Sequence, residues 1–356
     1  MDALPKEPKI ISDNLASVDR APGKLPQTAS PQKSASKIGA LAPVAEDLAL
    51  VDALIRTRLD SDVALVRQVA EYLVAAGGKR LRPALLLLSC GALGNRSAAR
   101  LPLAAVIEFI HTATLLHDDV VDTSELRRGR TTANAAFSNA AAVLVGDFLY
   151  SRAFQMMVEI GDMRVMQVLA EATNTIAAGE VMQLMGSHDP QVDEARYLEV
   201  IRRKTAKLFE AATRLAAVLS NQESLEEPLA EYGRRVGTAF QLVDDVLDYG
   251  GELGKSLGDD LAEGKPTLPL IYTMRCGSAE QAGVVRRAIT EGGRADFTQV
   301  LDAIRACGAL DYARAAAQRE AEAAMRAISA LPRSEYKQSL LELASFSVTR
   351  ASQVGA

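Results

Sequence analysis

Two short acidic runs carry the chemistry most visible in this chain, LLHDDVVD at 115–122 and QLVDDVLD at 241–248. In an α-helix, residues four apart project from the same face. Asp118 and Asp122 therefore point together, with Asp119 beside them and His111 two turns earlier on the same face. Gln241, Asp244, Asp245 and Asp248 repeat the arrangement, and both stripes sit among Leu and Val. Like charges at this spacing repel, so something cationic must offset them. Carboxylates without His or Cys at ligand spacing suit Mg²⁺, which keeps several waters and takes one or two carboxylates plus phosphate oxygens. A single DDxxD run is usually a solvated helix face; two copies on apolar helices point instead to a cation site.

A carboxylate–metal site of this kind implies a phosphorylated ligand, and basic residues occur where one could be held. GGKRLRP (77–83) puts Lys79 and Arg82 just before a helix, whose free N–H groups also favour an anion. Arg127 and Arg128 follow the first run by five positions, and a guanidinium fork matches phosphate oxygens bidentately. Lys204 and Thr205 lie on a helix, and Lys255 and Lys265 bracket GKSLGDDLAEGKPTLPL. The glycine-rich nucleotide motifs GxGxxG and GxxxxGK[ST] are absent, as is the hydrolase signature GxSxG. His117 adjoins Asp118, and His188 reads as a loop residue with a structural or solvent role.

The elements that must position these residues read as helices throughout. Of 356 residues, 48% are hydrophobic and only 4% aromatic, and Ala, Leu, Glu and Arg dominate, a composition that favours helix over sheet. Apolar residues recur at three- and four-residue spacing from Val44 onward. Helices are expected from Pro83 to Leu93 and over about 101–122, 132–159, 163–186, 193–221, 226–249, 266–276, 281–291, 297–305, 309–330 and 334–350. No alternating strand pattern appears. Residues 1–42, rich in Pro, Ser, Lys and Gln, read as a disordered arm, with the helical domain over 43–356. The net charge of -5 gives no reason to expect nucleic acid, and no apolar run is long enough to span a bilayer. The first residues lack the layout of a secretory signal, so a cytoplasmic protein is expected. Cys90, Cys276 and Cys307 are widely spaced and read as buried small hydrophobes rather than a disulfide or zinc set.

Six segments in the same order resemble the trans-isoprenyl diphosphate synthases, or polyprenyl synthetases: GGKRLRP, HTATLLHDDVVD followed by RRG, VGDFLYSRAF, RRKTAKLF, GTAFQLVDDVLDY and GKSLGDDLAEGKPTLPLIY. The resemblance covers about residues 45–350. It implies an all-α fold, a single large helical domain of about ten core helices around a central cavity, usually a homodimer. It further implies that Asp118, Asp122, Asp244 and Asp248 hold Mg²⁺, three ions per active site, with Asp119 and Asp245 supporting. Arg127, Lys204, Thr205, Gln241, Lys255 and Lys265 would bind the allylic diphosphate; Lys79, Arg82, His111 and Arg128 would bind isopentenyl diphosphate. The implied reaction is ionisation of the allylic diphosphate, attack by the isopentenyl double bond and loss of a proton.

Chain length is read from what lies before the first run. Short-chain members of the family carry aromatics at the positions of Ala113 and Thr114; here a methyl and a small hydroxyl leave the way open. Phe148, Phe154 and Met157 are candidates for the floor. The expectation is a product of about eight to ten isoprene units for a quinone side chain, decaprenyl first, released with peripheral membrane contact. Three alternatives remain: a farnesyl or geranylgeranyl synthase, a class I terpene cyclase, or an inactive partner subunit. The cyclase has no need of the second diphosphate pocket, and inactive subunits commonly lose motif residues that are complete here.

Overall fold

Helices follow one another almost without interruption in the computed structural model, which describes residues 39–127, 129–250, 258–292 and 295–349. Arg128, Lys255 and residues 1–38 of the expected arm lie outside the described residues. The first described turn, a 3-10 helix over Gly39–Val44, buries Ala40 and Leu41, so folded chain begins before the expected boundary at 43. Fourteen helices of eight residues or more follow among the described residues. They are α1 (Ala45–Arg58), α2 (Ala64–Ala76), α3 (Leu81–Ala92), α4 (Arg100–Val121), α5 (Asn139–Ile160), α6 (Met163–Gly186) and α7 (Glu194–Ile201). The second half contributes α8 (Lys207–Leu219), α9 (Glu226–Gly250), α10 (Leu268–Cys276), α11 (Ala279–Glu291), α12 (Phe297–Ala306), α13 (Ala309–Ala327) and α14 (Glu335–Thr349).

The core explains why α3 carries no polar stripe. Leu85, Leu86, Leu87, Leu88 and Cys90 are all buried because α4, α8 and α14 pack around it. A helix apolar on every side belongs in such a central position. The motif helix α4 lies against it, and α4 and α9 both pack against α8, with Leu103, Ile107, Ile110 and Leu116 of α4 buried. Truncating one of these to alanine costs about 2–5 kcal/mol. Side-chain caps set where the site helices begin: Asp162 accepts the N–H groups of Arg164 and Val165 before α6, and Asp193 that of Arg196 before α7.

Three departures from the sequence expectations have local causes. The stretch 132–159 is two helices, because Ser138 caps Ala141 and starts α5 anew after the short helix Ala133–Ala136. No strand was expected, yet Leu126–Arg127 pairs antiparallel with Arg130–Thr131, turning at Gly129, whose φ of +73° suits glycine. Cys276, at the last position of α10, is exposed rather than buried, whereas Cys90 is buried. No helix among the described residues is long and apolar enough to cross a membrane.

Candidate active site

A cavity of about 440 Å³ opens between the C-terminal half of α4, the start of α3 and the helices α6, α8 and α9. It gathers most of the residues expected from sequence: Lys79, Arg82, His111, Thr114, Asp118, Asp119, Asp122, Arg127, Lys204, Thr205, Gln241, Asp244 and Lys265 all line it. The two acidic runs thus face one space from different helices.

The first run is already engaged by cations. Lys204 Nζ lies 3.6 Å from Asp118 Oδ2, and Lys265 Nζ donates to Asp122 Oδ2 at 2.8 Å. Burial alone would lower the Lys265 pKa, but Asp122, Glu263 and Asp260 more than offset it and hold the ammonium charged. Asp119 is turned aside, 5% exposed, and accepts from Arg127 Nε at 2.8 Å. Burial raises its pKa in spite of that partner. Its place is therefore to orient Arg127 at the cavity wall.

The second run divides further. Gln241 and Asp244 line the cavity. Asp245, 2% exposed, instead accepts from Tyr197 Oη at 2.5 Å and from Gln241 Nε2 at 2.8 Å. Gln241 in turn accepts from Thr205 Oγ1 at 3.0 Å, so Asp245 fixes the amide that holds Thr205. Asp248, expected on the metal, is turned to the backbone N–H groups of Asp259 and Asp260, each at 3.3 Å. These bonds tie the end of α9 to the loop carrying Lys265. Burial and then Asp260 push the carboxyls of both Asp245 and Asp248 up to about 8.

Lys204 and Thr205 sit on a single π-helical turn, Arg202–Ala206, between α7 and α8. Such turns are rare and occur mainly at functional sites. A Cβ on Gly179 of α6 would come within 2.7 Å of the Lys204 backbone nitrogen, so only glycine admits the close approach of α6. Next to Gly179 and one turn beyond it on α6, Glu180 and Gln183 grip the ammonium: Nζ lies 2.5 Å from Glu180 Oε2 and 2.6 Å from Gln183 Oε1. Burial raises Glu180 to about 7 against the pull of Lys204. These two residues were missed from sequence. Their signal was available in GEVMQ, two polar residues at i and i+3 on an apolar helix. Asp260, which also lines the cavity, was passed over inside GDDLAEGK.

On the opposite wall, Arg82 and His111 meet, with Arg82 Nη1 3.0 Å from His111 Nε2, and the guanidinium lies 4.3 Å from the centre of the Phe209 ring. Lys79 stands at the exposed rim, 5.9 Å from the centre of the Phe346 ring. Arg80, between them in sequence, is structural: it pairs with Asp52 at 2.9 Å and with the buried Glu108.

A second, mainly apolar cavity of about 620 Å³ lies between α4, α5 and α6. Thr114, Asp118, Glu180 and Gln183 line both cavities, so the two meet directly beneath the first acidic run. Beyond them the walls are Tyr150, Ile176, Ala177, Val181 and Leu184. The expected chain-length pair separates here. Thr114 is on the cavity wall, whereas Ala113, 100° further round the helix, is fully buried in the core and lines neither cavity. The floor candidates are likewise corrected: Phe154 is 41% exposed, Met157 is packed in the core, and Phe148 lines an outer recess with Arg67 and Arg152.

Among the described residues, no three Asp, Glu, His or Cys side chains gather closely enough to hold a metal unaided. The donor set nevertheless fits Mg²⁺. Asp118, Asp122 and Asp244 offer hard oxygens around a space large enough for waters and phosphate oxygens, which make up the rest of a Mg²⁺ shell.

Comparison with known proteins identifies the family. The polyprenyl synthetase family model matches residues 63–305. The octaprenyl diphosphate synthase of Escherichia coli (strain K12) is 52% identical over 311 residues, covering 86% of this chain and 96% of that protein. The crystal structure of a decaprenyl diphosphate synthase from Rhodobacter capsulatus superposes with a TM-score of 0.83 at 43% identity, covering 88% of this chain and 98% of the other. A polyprenyl synthase from Caulobacter crescentus CB15, complexed with calcium and isoprenyl diphosphate, gives a TM-score of 0.85 at 46% identity and covers 90% of this chain and 100% of the other.

Proposed function

This chain belongs to the polyprenyl synthetase family, and from that premise we propose how its residues divide the work of a long-chain trans-polyprenyl diphosphate synthase. The enzyme is a prenyltransferase whose product falls in the range of eight to ten isoprene units. Asp118, Asp122 and Asp244 hold Mg²⁺, three ions per site, against the allylic diphosphate. Bound there, the metal supplies positive charge to the oxygens that leave with the electron pair.

The chain's own cations complete the charge balance. Lys204, Lys265 and Arg127 face the allylic diphosphate, Lys255 is assigned to it from the sequence alone, and Thr205 and Gln241 orient it. As the allylic C–O bond breaks, negative charge collects on the leaving diphosphate, where preorganised cations stabilise it more than they stabilise the bound substrate. Arg82, His111 and Lys79 hold isopentenyl diphosphate on the other wall, with its double bond toward the allylic carbon, and Arg128 is assigned to the same diphosphate from the sequence alone. The double bond attacks, a carbon–carbon bond forms, and the proton at the neighbouring carbon leaves to an oxygen of the released diphosphate. Each cycle adds one unit and pushes the tail past Thr114 into the apolar cavity between α4, α5 and α6.

The single observation that carries this division is the pairing of Lys204 with Asp118 and Lys265 with Asp122 in one cavity with Asp244. It is supported by the second, separate basic wall at Arg82 and His111, which a cyclase would not need. A homodimer is proposed from the outer faces of α5 and α6, where Leu144, Val158, Met163, Val181, Leu184 and Met185 are 56–77% exposed. Within the eight-to-ten-unit range, decaprenyl diphosphate is the proposed product, serving as a quinone side chain after release at a membrane surface. The test is a radiolabelled assay with farnesyl and isopentenyl diphosphates. Products of forty to fifty carbons are expected, and products confined to fifteen or twenty carbons overturn the reading.

A further inference from the structure

His188, in the turn after α6, stands at the far edge of the second cavity, away from both diphosphate walls, and occupies a built socket. Its backbone is left-handed, φ +62°, an uncommon conformation for a residue with a side chain. Its N–H donates to the carbonyl of Gly264 at 2.8 Å. Its ring Nδ1 lies 3.0 Å from the carbonyl of Ile289, in the last turn of α11, and since a carbonyl only accepts, Nδ1 carries the proton. Two glycines make room for the ring. A Cβ on Gly264 would fall 2.3 Å from Nδ1, and one on Gly292 2.9 Å from Cε1.

One residue thus joins three segments that are far apart in sequence: the end of α6, the loop 258–267 and the end of α11. The joined point on that loop is the residue immediately before Lys265. Lys265 is the side chain that crosses to Asp122, and its own N–H is bonded to the Asp260 carbonyl at 2.8 Å. The loop is therefore fixed on one side by Asp248, which accepts the N–H groups of Asp259 and Asp260, and on the other by His188. A lysine on four flexible methylenes is directed only as well as its backbone is held.

We propose that His188 is a positioning residue for Lys265: by clamping Gly264 against α6 and α11 it places the Lys265 ammonium for the allylic diphosphate. This rests on the assignment of Lys265 to that diphosphate. His188 lines the second cavity but neither diphosphate wall, so its removal should act on the allylic substrate and, if the clamp is its role, only through Lys265.

The test is a kinetic double-mutant cycle on the full-length enzyme. H188A keeps the backbone bond to Gly264 but loses the ring and its one bond to Ile289, and should raise the allylic KM roughly five- to tenfold, the worth of one hydrogen bond, while leaving the isopentenyl diphosphate KM within about twofold. K265A should raise the same KM more, and H188A added to K265A should change it no further. Equal rises in both KM values for H188A, or full additivity in the double variant, would overturn the proposal. Should H188A not fold, H188N keeps the tolerance for a left-handed backbone but lacks the ring, and the same split is read from it. If K265A itself leaves the allylic KM unchanged, the fault lies with the assignment of Lys265 to that diphosphate; if K265A raises it and neither His188 variant does, the fault lies with the clamp.

Discussion

Replacing Thr114 by phenylalanine should turn this enzyme into a short-chain synthase without unfolding it. Thr114 is four residues before Asp118, so it lies about 6 Å down the helix axis. An extended isoprene unit, four bonds of about 1.5 Å, spans about 5 Å. A ring at position 114, where the two cavities meet, therefore stands against the second or third unit of a tail whose diphosphate is held at the carboxylates. Forcing a further unit past a filled wall costs about 1–3 kcal/mol, which slows each later condensation about 5- to 150-fold. Growth should stop at fifteen to twenty carbons. The substitution faces open space, Thr and Phe have similar helix propensity, and the lost Thr114 Oγ1 to His111 carbonyl bond is local. The Tm should consequently move little.

Ala113 supplies the control. It is fully buried in the core, so A113F has nowhere to place a ring and should destabilise by about 1–3 kcal/mol or more. That corresponds to a Tm drop of several degrees, at about 2–4 °C per kcal/mol. Chromatography of dephosphorylated radiolabelled products, read beside thermal melts, separates the two. Folded T114F that still makes products of forty to fifty carbons, or A113F that shortens the product with an unchanged melt, would refute a tail path past Thr114.

Three more outcomes follow from the site. D118A and D244A should each lose nearly all turnover while keeping the helical circular dichroism spectrum, and wild-type turnover in either would remove that carboxylate from the metal site. K79A should raise the KM for isopentenyl diphosphate about tenfold or more, and that of the allylic substrate less; the opposite order would exchange the two diphosphate walls. The carboxyls of Asp245 and Asp248, raised to about 8 by burial and by Asp260, bind a proton more tightly folded than unfolded. Their contribution to stability is thus full below about 4 and is lost as pH rises through about 8. Thermal melts of the Mg²⁺-free protein should therefore show Tm falling between pH 7 and pH 9, and a Tm that is flat or rises over that range would refute it.

Much of this was legible in the sequence because helical spacing translates directly into a shared face. That is why His111, Asp118 and Asp122 could be placed on one helix face, and Gln241 and Asp244 on one face of another, before any contact was known; that the two faces share a cavity was implied by the family resemblance. The same rule could not say which neighbour turns away. Asp119 and Asp245 have the residue type of a metal ligand, but a step of 100° carries them toward Arg127 and Tyr197. Ala113 and Thr114 separate for the same reason, one step apart on a helix whose inward direction depends on α5 and α6. Glu180 and Gln183 were overlooked because two polar residues on a helix usually mean solvent, and their meaning comes from the π-turn that Gly179 allows to approach. The two-residue hairpin at 126–131 has too few residues to show alternation at all.

The acidic runs and the lysines are paired with each other before any ligand arrives, and this bears on how the site can bind two diphosphates in an acidic protein. Lys204 is shared by Asp118, Glu180 and Gln183, and Lys265 by Asp122 and Glu263. With Asp118 and Asp122 engaged by a bound metal, Lys204 and Lys265 would be free to turn their ammonium groups to the cavity, where a diphosphate could accept them. Glu180 then matters more than Asp118 for Lys204, because it retains the ammonium after the metal has claimed the aspartate. On this view E180Q should weaken allylic diphosphate binding even though it removes a negative charge from an anion site. A simple electrostatic account predicts the reverse. Measuring the allylic KM of E180Q therefore separates positioning from bulk charge: a rise supports the relay of lysines, and a fall would mean that charge alone governs the site.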